Sequence, residues 1–64
     1  MRIIYGDNVI AIKLAYCLGK RLILEDLDGV RYYTDDYFDE NIAHCVLNDL
    51  ATKGYIRVKN IIMY

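Results

Sequence analysis

Ten residues near the middle of the chain govern the choice of fold: EDLDGVRYYT, residues 25–34. Asp28-Gly29 is a strong hairpin signal, because glycine readily adopts the positive φ that a tight turn requires. β-branched and aromatic residues follow it, as is typical of a strand. With the turn placed there, alternation puts four side chains on one face: Leu22, Leu24, Val30 and Tyr32. The stretch therefore predicts two antiparallel strands joined by a turn.

The segments on either side of this hairpin predict two helices and two further strands. The apolar run Val9–Leu18, closed by Gly19, is interpreted as a first helix that only Lys13 interrupts. Asp35-Asp36 is interpreted as the start of a second helix, which ends near Lys53-Gly54. Its apolar stripe recurs at steps of three and four residues: Phe38, Ile42, Cys45, Val46 and Leu50. Strands are expected at Arg2–Tyr5, Arg21–Glu25, Val30–Thr34 and Tyr55–Lys59.

The resulting order is β-α-β-β-α-β in a single domain spanning residues 1–64. This order predicts an α+β fold of the split-βαβ, ferredoxin-like kind, in which both helices lie on one face of an antiparallel sheet. The other face of that sheet is expected to carry cations interleaved with aromatic and aliphatic side chains: Arg2, Ile4, Ile23, Arg31, Tyr33, Tyr55, Arg57 and Lys59.

A second fold is suggested by residues 45–58, which contain VLNDLATKGYIR at residues 46–57. This segment resembles the end of the recognition helix and the first wing strand of winged helix-turn-helix proteins. The resemblance implies a DNA-binding transcriptional regulator with a wing that turns at Lys59-Asn60. The sequence departs from the family at Asp28-Gly29-Val30, which is unfavourable for the family's second helix. A hairpin at residues 25–34 would remove that helix.

Composition excludes several classes of protein. The chain has 64 residues, a net charge of −1, two cysteines and one histidine, too few cysteines for a disulfide-stapled secreted domain. Val9–Leu18 is too short to span a membrane, and Asp7 and Lys13 are unfavourable in a signal peptide. We therefore expect a cytoplasmic protein, without a membrane partner, whose Cys17 and Cys45 are buried thiols. We find no catalytic set and no metal-ligand spacing, and so expect neither an enzyme nor a cofactor.

Charge is distributed unevenly along the chain. Residues 25–49 contain eight of the nine acidic residues and a single cation, Arg31. Four of these acids cluster around the expected start of the second helix, where the dipole favours ionised carboxylates: Asp35, Asp36, Asp39 and Glu40. They are the predicted contacts to a partner protein with a basic surface.

These features predict a non-enzymatic protein-binding module, a small inhibitor or adaptor that uses its acidic patch on a host or defence protein. In style the chain resembles small proteins of phages and other mobile elements. Nucleic acid is the second choice of partner, since bases stack on aromatic residues set among cations; its candidate face is Arg31, Tyr33, Arg57 and Lys59. The apolar segments Val9–Leu18 and Ile61–Tyr64 predict self-association as a homodimer.

Overall fold

The computed structural model describes residues 1–34 and 37–64, which form a mixed sheet and one helix. The strands are β1 (Arg2–Tyr5), β2 (Asn8–Leu18), β3 (Arg21–Asp26), β4 (Arg31–Thr34), β5 (Tyr55–Val58) and β6 (Ile61–Met63). The helix α1 (Glu40–Lys53) follows β4 and precedes β5 in the chain. The predicted small α+β domain is confirmed. The order of elements fits a split-βαβ-like arrangement in outline, with β5 parallel to β1 at the end of the helical connection.

The sheet has the strand order β5-β1-β2-β3-β4-β6. β1 and β5 run parallel, and the other neighbouring strands run antiparallel. β2 joins the two halves, because its first residues pair with β1 and the residues from Ile12 onward pair with β3. The register shifts between Ile12 and Leu14, where the pairing changes from one neighbour to the other.

The predicted first helix is wrong: Val9–Leu18 belongs to the long strand β2. The glycines that flank the run are hairpin residues, since Gly6 and Gly19 open two-residue loops with φ of +59° and +63°. A glycine with positive φ at the first loop position is the requirement of a type II′ hairpin turn. The irregularity beside Lys13 breaks the two-residue alternation. Because of this break, the sequence of β2 does not show the two-residue period that predicts a strand.

The hairpin predicted from residues 25–34 is confirmed. Leu24 lies opposite Tyr32, and Glu25 lies opposite Arg31 in the β3–β4 pairing. This hairpin occupies the segment in which a winged helix-turn-helix protein has its second helix. β5 and β6, which would form the wing around Lys59-Asn60, lie at opposite edges of the sheet.

The helix begins at Glu40, later in the chain than the expected start at Asp35-Asp36. Asp39 is the N-cap, and its Oδ1 accepts a hydrogen bond of 2.9 Å from the backbone N–H of Ile42. Asp35 and Asp36, predicted to open the helix, lie outside the described residues. The end of the helix is as predicted: Gly54 adopts a φ of +83° and its N–H donates to the carbonyl of Leu50.

The core lies between the helix and one face of the sheet. It consists of six buried aliphatic residues: Ile3, Ile12, Leu22, Leu24, Leu50 and Ile56. The helix contributes Ala43 and Leu50 as buried residues, with Val46 and Leu47 partly buried. The predicted stripe is therefore rotated, since Phe38, Ile42 and Cys45 are exposed. Phe38 also precedes the first helical residue, so the helical periodicity does not apply to it.

Candidate interaction surface on the open sheet face

The sheet face opposite α1 is not covered by the helix. We call it the open face. Residues that pair across neighbouring strands share a face, so the register defines its members: Arg2, Ile4, Val9, Ala11, Leu14, Tyr16, Leu18, Arg21, Ile23, Glu25, Arg31, Tyr33, Tyr55, Arg57, Ile62 and, just after β6, Tyr64.

An exposed apolar row runs along β2 through the middle of the open face. Val9, Leu14 and Leu18 have 62%, 47% and 58% of their surface exposed. Ile23 lies on the same face and is only 1% exposed, since it pairs with Tyr16 on one side and Tyr33 on the other. Strand alternation predicted Ile23 on this face. It did not predict the β2 residues, because Val9–Leu18 was interpreted as a helix. The available signal was the pair of flanking glycines, with the β-branched residues Val9, Ile10 and Ile12 between them.

All four arginines of the chain lie on the open face: Arg2, Arg21, Arg31 and Arg57. Among the described strand residues on the open face, the acidic residue is Glu25, which lies opposite Arg31. The open face is therefore basic, although the chain as a whole has a net charge of −1.

Aromatic contacts position two of these guanidinium groups. The Cζ atom of Arg21 lies 4.8 Å from the ring centroid of Tyr33, and that of Arg2 lies 6.0 Å from the ring centroid of Tyr55. The rings of Tyr33 and Tyr64 meet edge to face with centroids 6.1 Å apart. The guanidinium groups of Arg2 and Arg21 thus lie against tyrosine rings.

Three of the four residues predicted as a nucleic-acid face, Arg31, Tyr33 and Arg57, lie on this surface, but they do not form one cluster. Arg31 and Tyr33 lie on β4, whereas Arg57 lies on β5, and the three strands β1, β2 and β3 separate β4 from β5. Lys59 follows β5 and is exposed outside the strands. Along β2, the positions opposite Arg2 and Arg21 are seven residues apart, a separation on the order of 20 Å at the rise of a strand. The open face therefore has two basic ends joined by the apolar row.

The predicted acidic patch is described only in part. The side chain of Asp39 caps the helix, and Glu40 is exposed in the first helical turn. Asp35 and Asp36 lie outside the described residues. The patch therefore remains a prediction that the described contacts do not test.

Asp26, another member of the acidic segment, has a structural role. Its Oδ1 accepts hydrogen bonds of 2.9 Å from the backbone N–H groups of Asp28 and Val30, and Tyr32 donates its hydroxyl to Oδ2 at 3.2 Å. Desolvation, together with the bond to Asp26, raises the pKa of the Tyr32 hydroxyl. These bonds fix the β3–β4 turn.

The two cysteines are free thiols in different environments. Cys17 is half-buried on the helix side of β2, and burial raises the pKa of its thiol. Cys45 is exposed on α1, so the expectation that both thiols are buried is wrong for Cys45.

This difference predicts unequal labelling by a thiol reagent under native conditions. Cys45 is expected to react at least tenfold faster than Cys17, because the reactive thiolate of Cys17 is both less populated and shielded. Comparison of Cys17→Ala with Cys45→Ala assigns each kinetic phase. Equal rates for the two single-cysteine proteins would contradict the placement of β2.

No group of three histidine, cysteine, aspartate or glutamate side chains within residues 1–34 and 37–64 is arranged to hold a metal ion. The described helix is neither long nor apolar enough to traverse a bilayer. No family model, curated protein or solved structure matches the chain. The open face, with its combination of aliphatic, aromatic and arginine side chains, is the surface on which a functional proposal rests.

Proposed function

We propose that this chain is a non-enzymatic protein-binding module whose binding surface is the open face. The observation that carries the proposal is the exposed apolar row of β2, represented by Val9, Leu14 and Leu18. Exposed contiguous apolar surface is unfavourable in water and marks interaction sites when it is bordered by polar residues.

The composition of the open face supports a protein partner. Tyrosine and arginine are among the residues enriched in the energetic centres of protein interfaces, and both surround the apolar row. Their side chains are preorganised by the contacts of Arg21 with Tyr33 and of Arg2 with Tyr55, which reduces the entropy lost on binding.

The charge of the open face indicates the chemistry of the partner. Four arginines and one glutamate favour a surface that offers an apolar patch bordered by carboxylates. This partner has the opposite charge to the one predicted from the acidic patch. The open face has the stronger support, since it combines exposed apolar area with charge.

Single-stranded nucleic acid is the second candidate ligand. The interleaving of arginine and tyrosine favours it, because phosphates attract the guanidinium groups and bases stack on the rings. A nucleic-acid ligand accounts less well for the apolar row, because phosphates and bases would gain little from contact with Leu14 and Leu18.

Leu18→Asp is expected to reduce capture of the partner at least tenfold, because it places a charge in the apolar row. The immobilised protein is exposed to a lysate of the source cells, with and without nuclease treatment, and captured proteins are quantified. Ile42→Asp is the matched control, since Ile42 is an exposed aliphatic residue on α1. Circular dichroism establishes that both variants fold. Equal losses in the two variants, or capture that disappears on nuclease treatment, would contradict the proposal, and the second result would favour nucleic acid.

A further inference from the structure

β6 is an edge strand with one side of its backbone available. Among described strands, it pairs only with β4. The N–H of Tyr64 donates to the carbonyl of Arg31 at 2.9 Å. Because backbone groups alternate in direction along a strand, Ile62 also points its N–H and C=O toward β4. Ile61 and Met63 therefore direct theirs toward the open edge.

The two edges of the sheet differ in charge. At the β5 edge, Arg57 lies in the strand, with Lys53 and Lys59 on either side of it in sequence. Cations on an edge strand oppose pairing with another strand. Residues 60–64 carry no charged side chain, and Met63 is 70% exposed. The β6 edge thus lacks the protection that the β5 edge has.

We propose that the β6 edge binds a second copy of this chain, strand against strand and antiparallel, with the two-fold axis at Ile62. The available backbone groups are symmetric about Ile62, so Ile61 of each copy pairs with Met63 of the other through four backbone hydrogen bonds in total. Ile61 and Met63 share the helix side of the sheet, so the pairing matches side chains as well as backbone. No like charges meet within residues 60–64.

A second copy suits this edge better than an unrelated peptide. A peptide would also satisfy the backbone, but the self-pairing additionally places Ile62 against Ile62 on the open face and aliphatic residues together on the other side. The resulting sheet would be continuous through both copies. It would join the two open faces beside Tyr33, which lies opposite Ile62. This inference is independent of the proposed function, because it concerns backbone pairing at the β6 edge and needs no other partner.

Sedimentation velocity on the purified protein across the micromolar range tests the pairing. The wild type is expected to show a concentration-dependent dimer. Ile62→Lys is expected to raise the dimer dissociation constant at least tenfold, because it places two ammonium groups at the axis. Ile42→Lys is the matched control, with 40% exposure against 41% for Ile62, and should dimerise as the wild type does.

Ile61→Pro provides a second variant that does not depend on charge. It removes an N–H that faces the open edge, and proline is tolerated at edge positions of this kind. It should dissociate the dimer while circular dichroism stays that of the wild type. A wild type that remains monomeric throughout, a dimer that persists in both β6 variants, or a dimer lost equally in Ile42→Lys would overturn the proposal.

Discussion

Leu24→Ala is expected to lower the free energy of unfolding by about 3 kcal/mol. Leu24 is fully buried in the core cluster and lies on β3 between Ala15 and Tyr32. Removing its isobutyl group loses the transfer free energy and leaves a cavity between the sheet and Leu50. A domain of this size has a total stability of roughly 3–10 kcal/mol, so the variant should unfold at a much lower urea concentration.

Leu27→Ala is the matched control for this substitution. Leu27 lies in the β3–β4 turn with 69% of its surface exposed, so the same chemical change should alter stability by less than about 0.5 kcal/mol. Similar urea midpoints for Leu24→Ala and Leu27→Ala would contradict the assignment of the core to the helix side of the sheet.

The double variant Arg21→Glu with Arg31→Glu is expected to weaken partner binding on the order of a hundredfold. Both arginines lie at the β3–β4 end of the open face, and their reversal places carboxylates against the carboxylates expected on the partner. Association of the wild type should slow as salt is added, since electrostatic steering is screened. The double variant should lose this salt dependence.

Lys53→Glu with Lys59→Glu makes the same change in net charge at two residues outside the strands that form the open face. Its partner affinity is expected to stay within about threefold of the wild type, because surface charges outside an interface act only through screened long-range fields. Equal weakening by the two double variants in surface plasmon resonance would show that net charge, and not the open face, governs binding.

The sequence predicted the structure correctly where neighbouring residues alone specify a turn or a helix end. Asp28-Gly29 predicted the β3–β4 hairpin correctly, and Lys53-Gly54 predicted the end of α1. Strand alternation alone also placed Arg31, Tyr33 and Arg57 on the face opposite the helix, since alternation depends only on which segments are strands.

The sequence was misleading where tertiary pairing decides the structure. β2 exchanges one neighbour for another near Lys13, and the irregularity there removes the two-residue period that identifies a strand. The sequence predicted a helix start at Asp35-Asp36, whereas the N-cap is Asp39. These choices depend on contacts between distant segments, which a single sequence does not contain.

The claim that the open face binds a protein is tested most directly by site-specific photo-crosslinking. p-Benzoylphenylalanine is introduced in place of Tyr16 on the open face, or in place of His44 on the exposed side of α1, and each protein is irradiated in the source cells. We expect a covalent adduct with a protein from position 16 and none from position 44. An adduct from position 44 alone, or a nuclease-sensitive adduct from position 16, would contradict it.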